Sequence, residues 1–431
     1  MKIPGLCWGV AILMAASVHA AQKDEGDLAE ILLNNGVITQ EQYDRLQKEA
    51  SEKESSHVDV KLTTDGGIRA STYDGKFAFK LGGVFASDLA LHNEDKNSLG
   101  NGTEIRSARI EMEGTFFSDW DYEFSLEFAD AATEIKDAFI SYTGLQSLAF
   151  HFGQFKAPFS IEEMGSRKHT TFIERGLSNA LVPGRRMGAG VSYQERLWTL
   201  AAGVFGEEHG ADADDEGDEG WMTSGRFTFA PVHSQNRVFH FGASAAYQVP
   251  NDEKVIRIDS KPESRVTGAS YLDTGKIKNV DSAFTYGIET AIVYGPFALQ
   301  GEYVRQSLDI RNTGVSPDFY GGYAFASWMI TGESRNYQFG KGSFGRIKPD
   351  RTYGAFEVAV RYSMLNLNSF PLVAGGRENN VTVGFNWYVN RNIRAMANYL
   401  VINNDAHASD RGSLIGNDDP GIFHARLQID F

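Results

Sequence analysis

From about residue 76 onward, large apolar side chains recur at every second position. In the clearest stretch, Trp120, Tyr122, Phe124, Leu126 and Phe128 alternate with Asp121, Glu123, Ser125 and Glu127. A strand turns these two sets to opposite faces. One face then needs an apolar medium and the other needs water. Just upstream, Ala108, Ile110, Met112, Gly114 and Phe116 alternate with Arg109, Glu111, Glu113 and Thr115, with Ser118-Asp119 as the tight turn between. The same phase recurs in Phe77, Phe79, Leu81, Phe85, Leu89 and Leu91, then in Phe239, Phe241, Ala243, Ala245 and Tyr247, and later in Val381, Val383, Phe385 and Trp387. It ends in Phe423, Ala425, Leu427, Ile429 and Phe431. About sixteen such segments occur, many of about 9–11 residues, the length a tilted membrane strand requires. The expected fold is all-β: a roughly 16-stranded antiparallel transmembrane β-barrel with a short N-terminal helical segment.

The connections alternate in length. Ser118-Asp119, Gly295-Pro296 and Asn390-Arg391-Asn392 are short, whereas 93–103, 157–186, 206–220, 249–282 and 403–421 are long. Short turns on one side and long loops on the other is the arrangement of outer-membrane barrels. A secreted soluble β-sandwich fits less well, because its strands are shorter and its outer face is not aromatic.

The N-terminus has a different pattern. Lys2, a mostly apolar run over 6–18 and Val18-His19-Ala20 form a secretory signal with its cleavage site, so residues 1–20 are expected to be removed. Leu28, Ile31 and Leu32 then fall at helical spacing, and Asn34-Asn35-Gly36 stops that helix. Thr39 and Gln42 form a capping box for a second helix carrying Tyr43, Leu46 and Ala50 on one face. Residues 51–56 read as a polar linker. Residues 21–56 are thus expected to be a periplasmic helical segment, and 57–431 the barrel domain.

Composition narrows the class. Gly is abundant at 45, Pro scarce at 11, and the chain holds 29 Phe and 17 Tyr, which suits many strands joined by turns. Mean hydropathy is −0.32, and no apolar run after the signal could cross a membrane as a helix. The single cysteine, Cys7, lies in the signal, so the mature chain has no disulfide. Losing the signal removes one base and no acid from a formal charge of −15, and a chain so acidic is not expected to bind nucleic acid.

Several stretches of the barrel resemble the phosphate-selective porin family of outer-membrane channels. They are Phe79-Lys80-Leu81-Gly82-Gly83, Gly153-Gln154-Phe155-Lys156-Ala157-Pro158-Phe159-Ser160, Glu174-Arg175, Pro183-Gly184-Arg185-Arg186, Thr331-Gly332-Glu333-Ser334-Arg335 and Gly384-Phe385-Asn386-Trp387-Tyr388-Val389-Asn390, with the C-terminal Ala425 to Phe431. The resemblance implies a homotrimer of barrels in the outer membrane of a Gram-negative bacterium, each with its own pore. It also implies that Phe431 is an assembly signal for the barrel-insertion machinery. Phosphate-specific members carry a base on the first strand and a lysine on the constriction loop; this chain has Val84 and Glu163 there.

Charged side chains at a constriction set pore selectivity. Segment 157–186 is too long for a passive connection and has no period. It is expected to fold into the lumen as the constriction, with Lys156, Arg167, Lys168, Arg175, Arg185 and Arg186 as candidate anion-binding bases and Glu163 opposing them. The strand phase makes Arg109, Glu111, Glu113, Glu123, Glu127, Arg226, Arg361, Arg394 and Arg426 lumen-facing. The acidic loop 207–219 matches only the first half of a calcium loop, since Thr223 stands where the closing Glu belongs, and a solvated loop is the better expectation. Enzymatic signatures are missing: no Gly-x-Ser-x-Gly and no His-Glu-x-x-His, and lumen-phase His151 and His240 are expected to have no adjacent nucleophile at matching height. No cofactor is expected. The expected function is passive diffusion of small hydrophilic solutes, anions such as phosphate foremost. The alternatives are a non-selective or weakly cation-preferring general porin and a plugged structural or adhesive barrel, which liposome swelling separates.

Overall fold

A computed structural model describes residues 32–54, 60–64, 67–129, 133–207, 218–311 and 314–431. The chain divides into two units, Met1–Lys61 and Leu62–Phe431. In the first, the helix Gln40–Glu54 begins with a reciprocal cap: Gln42 N–H donates to Thr39 Oγ1 at 3.3 Å, and Thr39 N–H donates to Gln42 Oε1 at 2.9 Å. Gly36, with φ of 68°, makes the turn before it. The helix continues through residues 51–54, where the sequence reading placed a linker, because Glu and Lys extend a helix as readily as they form a linker. The signal and Leu28 and Ile31 lie outside the described residues.

The short strand Val60–Thr63 straddles the division, and in the second unit the short strand Ile68–Thr72 precedes sixteen that close on themselves. These are β1 (Ala78–Asn93), β2 (Gly102–Phe116), β3 (Trp120–Glu127), β4 (Glu134–Leu145), β5 (Leu148–Lys156), β6 (Arg185–Gln194), β7 (Trp198–Phe205) and β8 (Trp221–Ser234). Then come β9 (Arg237–Val249), β10 (Val280–Tyr294), β11 (Phe297–Ile310), β12 (Asp318–Met329), β13 (Ala355–Ser369), β14 (Val373–Tyr388), β15 (Ile393–Asn404) and β16 (Gly421–Asp430). Each pairs antiparallel with the next, and β16 returns to β1 with Asp430 opposite Val84 and Leu427 opposite Ser87. The outward phase is exposed, as in Phe227, Phe229, Phe239 and Phe241, while the intervening Arg226, Thr228 and His240 are buried. The period-2 pattern thus separates a lipid face from a lumen face, the reverse of a soluble protein's division.

Two connections break the expected division between a turn side and a loop side. Residues 370–372 are a short link on the loop side. Residues 330–354 are a long one on the turn side, between β12 and β13. This inner segment turns back into the lumen. Arg226 donates to the carbonyls of Lys341 (2.9 Å) and Gly342 (2.7 Å), His240 Nδ1 lies 2.6 Å from the Tyr337 hydroxyl, and Arg346 pairs with Asp430. Its Phe344 packs with Ile161 of the constriction loop and with Val293 and Ala298 of the wall.

Apolar packing occupies part of the loop-side half of the lumen. Phe159, Leu177 and Leu181 of the constriction loop meet Tyr271 and Leu272 of the 250–279 connection, against Val304, Leu308, Phe319 and Leu365 of the wall. Apolar contacts inside a lumen follow from loops that carry their own hydrophobic faces and have no lipid to cover them. A large charged cavity lies on the turn side, lined there by Thr143, Ser147, Gln194 and Arg391.

Candidate functional site

The constriction loop is built to cross the barrel. It leaves β5 at Lys156 and returns at Arg185, so its span is 157–184; Arg185 and Arg186, assigned to the loop from sequence, open β6 instead. Ser160, with φ of 62°, starts the short helix Ile161–Met164; its hydroxyl accepts from Glu163 N–H at 3.1 Å and donates to Glu302 at 2.9 Å. Further on, the wall opposite holds the loop by its carbonyls. Gln428 donates to Lys168 O (3.0 Å), Asn386 to Thr171 O (2.8 Å), Arg426 to Ile173 O (2.7 Å) and Arg361 to Glu174 O (2.9 Å). Leu177 N–H donates to Ser363 Oγ at 2.9 Å and to Glu263 at 3.1 Å. The loop is therefore tied at both stems and along its far edge.

The wall arginines mostly do this holding. Arg361 is 1% exposed, pairs with Glu263 at 2.7 Å and lies over the Phe172 ring at 4.4 Å. Arg394 reaches Thr171 O and Asn386. Arg426 grips Asp88 through two bonds of 2.7 Å and also reaches Glu174, which Arg106 holds from the other side at 2.7 Å. Burial opposes ionisation of Glu174, yet the Arg106 and Arg426 guanidiniums hold its carboxyl well below the usual carboxylate range. Glu127 is taken up by Ser107, the Ala108 amide and Arg109. Arg361, Arg394, Arg426 and Glu127 thus face inward but do not open onto the charged cavity.

Glu163 does not oppose Arg185 and Arg186 across the pore. It pairs within its own loop with Arg175, and Lys156 donates to its backbone carbonyl at 2.6 Å and to Gly165 O at 2.8 Å. Burial works against the charge, but Arg175 and then Lys156 hold the Glu163 carboxyl below the usual range. The sequence assigns charge but not partner, and two bases seven and twelve residues away along the folded chain reach the acid first. Arg186 donates to Gly206 O at 3.2 Å at the end of β7. Arg185 pairs with Asp137 of β4 through bonds of 2.8 and 2.9 Å.

Below the loop lies a chamber of about 1280 Å³. Of the residues singled out from sequence, Lys156, Arg167, Lys168, Arg175 and Arg185 line it, with Arg109, Glu111, Glu113, Glu123 and Arg226 from the wall. Sequence reading missed the contribution of the inner segment, Lys341, Arg346 and Lys348, and of Arg69, Lys80 and Arg391. The signal that could have found them is the Lys/Arg content of 335–351 in a connection too long for a turn. In all, thirteen Lys and Arg side chains line the chamber against four carboxylates. Lys168 pairs with Glu111 and Lys80 with Glu113, whereas Arg167, Lys341 and Lys348 make no ion pair among the described residues. A protein of net charge −15 therefore presents a strongly positive interior, with the excess acid elsewhere.

His151 corrects one expectation. Its Nδ1 lies 2.7 Å from Ser141 Oγ and its Nε2 2.9 Å from Ser192 Oγ, so hydroxyls do stand beside it. These neighbours come from β4 and β6, so sequence spacing could not reveal them. Among the described residues, no carboxylate hydrogen-bonds the ring. Most of the acidic loop, 208–217, and with it the calcium question, lies outside the described residues.

A closed barrel with a lipid-facing aromatic exterior and a charged aqueous interior under a folded-in loop defines an outer-membrane channel of the porin type. A family model described as phosphate-selective porin O and P matches residues 79–431, and the chain belongs to that family. Over 418 residues it is 29% identical to Porin O of Pseudomonas aeruginosa, covering 87% of this chain and 93% of that one. Among solved structures, a loop L8 deletion mutant of OmpT, an outer membrane protein of Vibrio cholerae, superposes with a TM-score of 0.55 at 13% identity, covering 83% of this chain and 100% of that one. The trimer form of OmpT gives 0.52 at 12% identity, covering 82% and 99%. Salmonella typhi OmpF in complex with daunomycin gives 0.50 at 13%, covering 83% and 99%. At these identities the structural likeness speaks for the fold. The protein is a porin of the Gram-negative outer membrane.

Proposed function

We propose that the channel conducts small hydrophilic anions, phosphate among them, by passive diffusion, and that it has no enzymatic activity. The observation that carries this reading is the charge of the chamber, thirteen bases against four acids, in a space narrow enough for the low dielectric of its walls to strengthen each charge. The candidate site residues are those with a base open to the chamber: Arg167 first, with Lys156, Lys168, Arg175 and Arg185 held in partial neutralisation. A homotrimer embedded in outer-membrane lipid, assembled through the C-terminal Phe431 by the barrel-insertion machinery, completes the reading. Residues 21–56, after removal of 1–20, act as a periplasmic element separable from conduction. The test is the reversal potential of single channels in a planar bilayer under a potassium chloride gradient, repeated with phosphate added. Anion preference with block by phosphate is expected; cation preference would sink the reading.

A further inference from the structure

The four chamber carboxylates are not spread around it. Glu111 and Glu113 lie on β2, Glu123 on β3 and Asp137 on β4, three adjacent strands of one wall. Three of them are occupied: Glu111 by Lys168, Glu113 by Lys80 and Asp137 by Arg185. Glu123 makes neither an ion pair nor a hydrogen bond among the described residues. Its cross-strand neighbours are Glu113 on β2 and Phe139 on β4, and Asp137 sits one step diagonal, opposite Ser125. Among the described residues, the bases of its own wall, Lys80, Arg109 and Lys136, are already paired with other acids. Lys341 of the inner segment lines the same chamber and makes no ion pair among the described residues.

We propose that Glu123 is a specificity-determining residue of this channel: an open carboxylate in a cationic chamber, it favours dipolar solutes that carry an ammonium beside an anionic group over purely anionic solutes of equal size. This rests on the anion-channel reading above. A solute whose anionic end meets Arg167 or Lys341 can place a cationic end on Glu123, where a simple anion meets repulsion instead. Glu163, which the sequence sets against the anion-binding bases, is enclosed by Arg175 and Lys156 and cannot act on a passing solute.

The experiment compares wild type, Glu123→Gln, Glu123→Asp and Asp121→Asn. Asp121 shares the strand and the inward phase but lies outside the chamber, bonded to Thr115. Two readouts are taken: the reversal potential in potassium chloride, and liposome swelling rates for glycine against propionate. Glu123→Gln should raise the anion-to-cation permeability ratio about twofold or more at low salt, and should lower the glycine-to-propionate ratio. Glu123→Asp should stay near wild type, as should Asp121→Asn. If Glu123→Gln moves neither readout, or Asp121→Asn moves both equally, the inference is overturned. The sign of the wild-type reversal potential separately decides the anion reading, and the two failures are thereby distinguishable. Folding of each variant is checked by heat-modifiable migration.

Discussion

Phe431 closes the barrel on Gly83: its amide donates to Gly83 O at 3.1 Å, and Gly83 N–H donates to Phe431 O at 3.0 Å. The phenyl ring lies directly over that glycine. A Cβ on Gly83 would stand 3.0 Å from the ring and 2.6 Å from the Arg109 carbonyl. The seam of the cylinder therefore depends on a terminal aromatic and on a residue with no side chain. Removing Phe431 leaves Gly83 without its partner and uncovers strand edges. Deletion of Phe431, and Gly83→Val, should each lower the fraction of heat-modifiable, membrane-inserted barrel. Undiminished yield in both would show that the seam closes without this contact.

Phe124 and Glu123 are adjacent on β3, yet only Glu123 lines the chamber. The outward phase places Phe124 against lipid. Phe124→Arg should destabilise the barrel by about 2–4 kcal/mol if it lies near the midplane. The measurement is urea unfolding in detergent or vesicles. Retained stability would mean that this face is covered by protein rather than lipid.

Glu174 is the knot between loop and wall, held by Arg106 and Arg426 at 2.7 and 2.8 Å. Its folded-state pKa is depressed well below the unfolded value, as is that of Glu163 to a smaller degree. A depressed carboxylate pKa contributes stability that is full above the unfolded value, about 4.3. That stability is lost as pH falls through the folded value. The loop should hold its place from neutral pH to below pH 4 and loosen only in stronger acid. Channel noise and protease sensitivity of residues 157–184 should rise there. Glu174→Gln should show that behaviour already at neutral pH.

The barrel was legible because lipid on one side and water on the other impose a period of two on every strand. Trp120 to Phe128 shows this without any tertiary knowledge. The cap at Thr39 and Gln42 was legible for the same reason, since its partners are three residues apart. Pairing inside the lumen was not. Arg426 meets Asp88 across the seam and Ile173 on a loop, contacts set by closure rather than by neighbours in sequence. The inner segment escaped notice because 330–354 has the polarity of an ordinary loop, and only its attachment to Arg226 and His240 brings Lys341 into the chamber. Glu163 showed the opposite failure: its charge was visible, but Arg175 cancels it.

The bases of the constriction can be ranked by what they would leave behind. Arg167 lines the chamber and makes no ion pair among the described residues, so Arg167→Gln should keep the fold and move the reversal potential toward cations at low salt. Arg186 reaches the Gly206 carbonyl and does not line the chamber, so Arg186→Gln should change selectivity little. Arg185→Gln should do two things together, shifting selectivity toward cations and lowering stability, because Asp137 would be left buried without its base. Glu163→Lys should not strengthen anion preference as a free carboxylate's reversal would. It would place three cations, with Arg175 and Lys156, in one buried pocket and should dislodge the loop. The selectivity shifts should shrink as salt rises, since screening reaches about 10 Å at 0.1 M. Should Arg167→Gln leave the reversal potential of a folded channel unmoved at low salt, the loop bases do not govern selectivity, and Lys341 and Lys348 of the inner segment become the residues to replace next.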